Sequence, residues 1–117
     1  MSRARTLVYV AGPFSAKTRE GVDANIGRAV ALGIEVAKLG FYPVVPHANT
    51  AHPDYEHVQP YDFWIEATDE QLRRCDAAIF LPTWEQSSGA RKERATAQAL
   101  GIPVFDSLEA LAGWYDV

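Results

Sequence analysis

The stretch Asp76-Ala77-Ala78-Ile79-Phe80-Leu81-Pro82 is followed by Thr83-Trp84-Glu85-Gln86-Ser87-Ser88-Gly89-Ala90, and then by a polar run that closes at Gly101-Ile102-Pro103-Val104. Ala77 to Leu81 is a continuous apolar run stopped by proline, the pattern of a strand buried on both faces. The Ser-Ser-Gly turn opens a helix from about Ser88 to Leu100, Gly101 stops it, and Ile102 to Phe105 is the next strand. The segment is a β-α-β unit, and it reads as one wall of a small-molecule site.

The same alternation extends outward from this unit. Thr6 to Ala11 (TLVYVA) is a buried strand that ends at Gly12-Pro13, and residues 14–21 read as a loop. Val22, Ile26, Ala29, Val30, Gly33, Val36 and Ala37 recur at steps of three and four, giving one helical face that Gly40 terminates. Tyr42 to Val45 is a short strand whose Pro43 suits a sheet edge. Residues 47–60 read as a long loop, and 61–74 as a helix ending in Arg73-Arg74. Ser107 caps a last short helix. Strands alternating with helices imply an α/β fold: a flavodoxin-like or Rossmann-like three-layer sandwich with a mostly parallel sheet of four or five strands, forming one domain over 1–117. Ligands of such sheets bind where strand order reverses. If the first strand is central, the crevice lies between Gly12-Pro13-Phe14-Ser15 and the 83–89 loop.

Composition narrows the function. The chain has 117 residues, a net charge of −4 and one cysteine, Cys75. An acidic balance argues against a nucleic-acid polymer or a membrane surface as partner. No apolar run reaches transmembrane length. The start runs from Met1 and Ser2 directly into a strand with no apolar leader, and a single cysteine suits a reducing compartment, so a cytoplasmic protein is expected. His47, His52 and His57 with Asp54 follow no standard ligand spacing, so no metal and no cofactor is expected. Cys75 reads as a small buried residue and Asp76 as an anchor for the strand start.

The chemistry concentrates on the helix after the Ser-Gly turn. Free N–H groups at its start favour an anion, with Ser87, Ser88 and Gly89 closest to it, although Ser88 also suits a plain N-cap. Ala90, Glu93, Ala97 and Leu100 fall on one stripe, which should face the sheet. A carboxylate there needs a partner or a function. Two readings fit: a nucleophile kept ionised by the helix N-terminus, or a salt bridge to Arg91, Arg94 or Arg5. Trp84 fits either stacking on a ligand or wedging its loop onto the core. Tyr61, Phe63 and Trp64 fit a packed or an interacting surface.

Several motifs together carry a resemblance. They are Tyr9 through Ser15 (YVAGPFS), Asn25, Gly40 through His47 (GFYPVVPH), Cys75-Asp76-Ala77, Leu81-Pro82-x-Trp84, Ser87-Ser88-Gly89-Ala90-x-x-Glu93, and Ala99 through Val104. The chain resembles the nucleoside 2-deoxyribosyltransferase-like superfamily, in its small DUF4406-type branch, from Leu7 to Phe105. The resemblance implies a flavodoxin-like sheet and cleavage or transfer of an N-glycosidic bond in a nucleoside or 5′-mononucleotide, in a homo-oligomer such as a dimer or tetramer. It implies that Glu93 attacks the anomeric carbon and that Tyr9 orients it. It also implies that Ser87 meets a 5′-phosphate and that backbone groups of Gly12 and Gly89 line the pocket; Pro13, Phe14, Trp84 and Ser88 flank the crevice through their loops, and His47, at the end of the second strand, is the histidine placed to touch substrate. The family's aspartate eight residues before Asp76 falls on Thr68, which leaves three readings: Asp69 stands in for it, Asp62 does, or the role is absent. Two other readings are a nucleotide-binding module without catalysis and an interaction protein using the 61–64 aromatics.

Overall fold

The computed structural model describes residues 3–115, apart from the side chains of Glu56 and Tyr115; Met1 and Ser2 lie outside it. Four strands form one parallel sheet: β1 (Leu7–Ala11), β2 (Tyr42–Val44), β3 (Ala77–Phe80) and β4 (Val104–Phe105), in the order β2-β1-β3-β4. Around it stand α1 (Arg19–Lys38), α2 (Pro46–Asn49), α3 (Tyr55–Val58), α4 (Tyr61–Arg73), α5 (Ser88–Ala99) and α6 (Leu108–Tyr115). The result is the flavodoxin-like α/β arrangement expected from the alternation of apolar runs.

Strand alternation divides the core in two. Val8 and Val10 of β1 and Ala77 and Ile79 of β3 pack with Ala29 and Val36 of α1 and Leu111 of α6. Tyr9 and Ala11, with Ala78 and Phe80, point to the opposite face, which Leu72 of α4 and Ala97 of α5 cover. Successive side chains on a strand point to opposite faces, so this split follows from the period of two. It puts Tyr9, 1% exposed, on the side of α4 and α5.

The strand order makes β1 and β3 the central pair. β1 leads to β2 on one side, and β3 leads to β4 on the other, so the reversal lies between β1 and β3. Their register runs from Val8 beside Ala77 to Ala11 beside Phe80. Gly12 and Leu81 therefore leave the sheet together, with Leu81 N–H donating to Ala11 O at 2.9 Å. A Cβ on Gly12 would lie 2.4 Å from Leu81 Cδ1 and 3.0 Å from its Cβ, closer than packed carbons approach. A larger residue there would force the Leu81 side chain to shift.

Helix ends follow local chemistry. Gly40 (φ +96°) and Gly101 (φ +73°) occupy the left-handed region just past α1 and α5, as the stop signals anticipated. The Ser107 hydroxyl accepts from Ala110 N–H at 3.1 Å and starts α6. Asp76 holds the start of β1 by accepting from Leu7 N–H at 2.8 Å. Three details differ from the expectations. The α1 helix starts at Arg19 because the Thr18 hydroxyl caps Gly21 N–H at 3.1 Å. The 47–60 stretch holds two single-turn helices, the first with Pro46 at its opening position. Leu100, expected on the inward stripe, is 47% exposed because α5 has already ended at Ala99.

Gly12→Ala is expected to destabilise the protein by about 1–3 kcal/mol in urea denaturation. The loss should be partly relieved in a Leu81→Ala background, so the two changes should cost less together than their sum.

Candidate functional site

Two elements meet at the carboxyl end of β1. Tyr9 stands on β1 beside Ala78, with Ala97 covering the same face, and these small neighbours leave the phenol free to run toward α5. On α5, Ala90 and Ala97 are buried and Glu93, between them, is partly buried. The Tyr9 hydroxyl donates a hydrogen bond to Glu93 Oε2. The inward carboxylate therefore bonds a tyrosine rather than an arginine. Arg94 pairs with Asp106 at 2.7 and 2.9 Å, and Arg91 donates to Glu85 O at 2.7 Å.

Burial pushes Glu93 up to about 7 from an ordinary 4.5, against the Tyr9 hydrogen bond that favours its ionised form; the charge of Asp69 adds to the rise. The expected help from the helix N-terminus is too weak to prevent this. Glu93 lies in the second turn of α5, and the dipole's effect fades beyond the first. Tyr9 is raised above its ordinary value by burial first and by the facing carboxylate second. The shared proton therefore sits on the tyrosine, and Glu93 exchanges its own proton near neutral pH. A carboxyl that titrates at working pH is suited to nucleophilic or acid-base chemistry.

The other expected residues are distributed as follows. The position eight before Asp76, Thr68, is half-buried on α4, and its hydroxyl donates to Ile65 O at 3.0 Å. Asp69, one residue on, turns away and pairs with Arg73 Nε at 2.6 Å, although its charge still reaches Glu93. Asp62 is exposed in the first turn of α4. Of the two aspartates, Asp69 is the one whose charge reaches Glu93.

The turn before α5 is capped by Ser87, not Ser88: Ser87 Oγ accepts from Ala90 N–H at 3.2 Å. Ser88 and Gly89 are exposed, and a Cβ on Gly89 would meet Ser87 Oγ only at an ordinary 3.8 Å. Trp84 is held in place by the core and by a cation. Its ring lies edge-on to Phe80 at 6.0 Å, and the Arg94 guanidinium sits 4.2 Å from its centroid.

Gly12, Pro13 and Phe14 form the first loop, and His47 bolts it down. His47 is 7% exposed and its Nε2 lies 3.0 Å from Pro13 O, as a donor in the neutral tautomer. Burial lowers its pKa, which keeps it neutral, and Phe14 packs edge-on at 5.4 Å. Asn25 ties the loop from the other side, donating to Phe14 O at 2.9 Å. The His47 anchor was not readable from the sequence, because it joins residues far apart along the chain.

Cys75 is buried, donates to Gln71 O, and is pushed by burial up to about 11, which makes it a poor nucleophile. Among the described residues, no group of three His, Cys, Asp or Glu side chains converges as a metal site, and no helix is long and apolar enough to cross a membrane. An open concavity of about 860 Å³ lies between the α2–α3 segment and Trp64, with His52, Pro53 and Tyr55 on its wall. It does not include Glu93. Of the 61–64 aromatics, Trp64 packs against Tyr55 and Phe63, whereas Tyr61 and Phe63 are 67% and 44% exposed.

The raised Glu93 carries a stability cost with a definite sign. The unfolded chain ionises this group near 4.5 and the folded one near 7, so stability falls as pH rises between those values and stays reduced above them. Glu93→Gln removes the cost. At pH 8 the variant is expected to be more stable than wild type by about 2–3 kcal/mol, and at pH 4 nearly equal to it, in urea titrations at both pH values. His47, which acts in the acid range, is common to both proteins and cancels.

Comparisons with known proteins bear on the family and the fold. The family model of a domain of unknown function, DUF4406, matches residues 6–106. A solved 2-deoxyribosyltransferase from the psychrotolerant bacterium Bacillus psychrosaccharolyticus, described as a biocatalyst for nucleoside synthesis, is similar in fold. Its TM-score is 0.60 at 19% identity, over 85% of this chain and 69% of that one. Among curated proteins there is no match. The chain belongs to the DUF4406 family and has a nucleoside 2-deoxyribosyltransferase-like fold.

Proposed function

We propose that the protein cleaves or transfers the N-glycosidic bond of a nucleoside or 5′-mononucleotide, with Glu93 as nucleophile. The observation that carries this reading is the Tyr9–Glu93 hydrogen bond beside the reversal point of the sheet. A Glu93 oxygen attacks the anomeric carbon of the sugar. The C–N bond breaks, and its electron pair leaves with the base, which takes a proton from solvent. Water or a second base then displaces the glutamyl ester, restoring Glu93 and the original configuration at the sugar. Tyr9 holds one carboxylate oxygen, leaving the other to react. Glu93 attacks only when ionised, so activity rises with pH through about 7.

The rest of the pocket follows from the same arrangement. The rigid Gly12-Pro13-Phe14 loop, anchored by His47, forms one wall. The exposed Ser88 and Gly89 at the start of α5 form the other, with backbone N–H groups suited to an anionic or hydroxylated substrate. Ser87 Oγ accepts from Ala90 N–H as the cap, and its hydroxyl proton is left to donate to a 5′-phosphate. The exposed Tyr61 and Phe63 are where a homo-oligomer would make contact.

A second reading, a nucleotide-binding module without turnover, is favoured by one observation: Thr68 occupies the position where the family places an aspartate. Calorimetry with 5′-mononucleotides separates the two, because binding without release of base supports the module.

Incubation with a panel of nucleosides and 5′-mononucleotides is expected to release free base for at least one member. Glu93→Ala should abolish the release, and Tyr9→Phe should slow it roughly tenfold to hundredfold by letting the carboxylate move. Wild type and Glu93→Ala giving equal signals across the panel would sink the proposal.

A further inference from the structure

Arg94 of α5 makes three contacts at once. Its two terminal nitrogens donate to the two Asp106 oxygens at 2.7 and 2.9 Å. Its Cζ lies 4.2 Å from the centroid of the Trp84 ring and 5.1 Å from that of Phe80. A guanidinium is planar, so it can hold a carboxylate by its edge while its face lies on an aromatic ring. Arg94's side chain is 16% exposed, whereas that of Asp106, just past β4, is 61% exposed. An ion pair this open to water adds little to stability. What Asp106 supplies is orientation: two parallel bonds fix the plane of the guanidinium.

Trp84 is tied in turn to the start of α5. Residues Trp84–Gln86 form a single 3-10 turn. Trp84 N–H donates to Leu81 O at 3.0 Å, and Trp84 O accepts from Ser87 N–H at 3.0 Å. Ser87 Oγ then caps Ala90 N–H at 3.2 Å. A shift of Trp84 therefore carries Ser87 with it.

We propose that Arg94 is a positioning residue: held in plane by Asp106, it pins the Trp84 indole and through Trp84 O sets the place of the Ser87 hydroxyl. This rests on the reading of Ser87 as the group that meets a 5′-phosphate. The device then governs specificity, since a substrate with a 5′-phosphate feels the place of Ser87 and a nucleoside does not. Arg94 acts by shape rather than by attracting the phosphate, because its charge is already matched by Asp106. Arg91 grips the same turn by donating to Glu85 O at 2.7 Å, from an exposed position and on the backbone rather than the ring. Lysine at position 94 would keep the charge but has neither the plane nor the fork, so it cannot hold carboxylate and indole together.

Two readouts test this. Fluorine NMR of protein labelled with 5-fluorotryptophan reads the ring, with Trp84→Phe identifying the signal. KM and kcat for a 5′-mononucleotide and for the matching nucleoside read the turn. Arg94→Lys and Asp106→Asn should each move the Trp84 signal. Each should raise KM for the mononucleotide roughly tenfold, as expected for a weakened hydrogen bond to a charged group. KM for the nucleoside, and kcat for both, should change less than about twofold. In a Ser87→Ala background, Arg94→Lys should add nothing to KM. An unmoved Trp84 signal would overturn the proposal, as would a rise in KM shared equally by mononucleotide and nucleoside, the mark of a merely structural role. Absence of base release by the wild type counts against the Glu93 reading instead, and dissociation constants from calorimetry then make the same comparison. A wild type that shows no preference for the phosphate-bearing ligand in either measurement would overturn the proposal. Should Arg94→Lys not fold, Asp106→Asn, a change at an exposed side chain, carries the test.

Discussion

The hydrogen bond from Tyr9 to Glu93 joins the central strand to the helix that packs over it. Each part of the architecture contributes to making that contact. Alternation along β1 sends Tyr9 to the α4–α5 face, while Val8 and Val10 fill the other. Alanines at positions 78, 90 and 97 keep the space between sheet and α5 narrow without blocking the phenol. The Ser87 cap sets where α5 begins, and so which turn carries Glu93. Gly12 allows β1 and β3 to end side by side, which places the pair at the reversal point.

Burial and hydrogen bonding act on the same carboxylate in opposite directions, and burial is the larger. The protein therefore holds a group that is less stable when ionised than it would be in water. Folded proteins keep such groups where chemistry requires them, and the cost falls on stability. The loop opposite is built differently. His47 is kept neutral by burial, and with Asn25 it fixes the Pro13–Ser15 backbone through ordinary uncharged hydrogen bonds. The loop is anchored by neutral contacts, and α5 carries the titrating group.

The fold was legible because its signals are local and repeated. Continuous apolar runs marked Leu7–Ala11 and Ala77–Phe80, and glycines at 40 and 101 stood where φ turns positive. The inward stripe of α5 showed Glu93 as an exception among alanines. The short helices at 46–49 and 55–58 were not legible, since one turn is too short to show a period. The choice between Ser87 and Ser88 as cap turned on one residue of phase. Thr68 was visible only as a missing aspartate, and its bond to Ile65 O needed the structure. The raised pKa of Glu93 was also beyond a residue count, because it depends on how deeply the second turn of α5 is buried.

The most direct measurement is a crystal structure of the protein soaked with a deoxynucleoside or its 5′-monophosphate, read as the distance from the Glu93 carboxylate to the anomeric carbon. The account expects a Glu93 oxygen about 3–3.5 Å from that carbon, on the face opposite the base, with Tyr9 holding the other oxygen. A sugar bound with its anomeric carbon out of reach of Glu93, or a ligand seated only in the concavity beside Trp64, would contradict it.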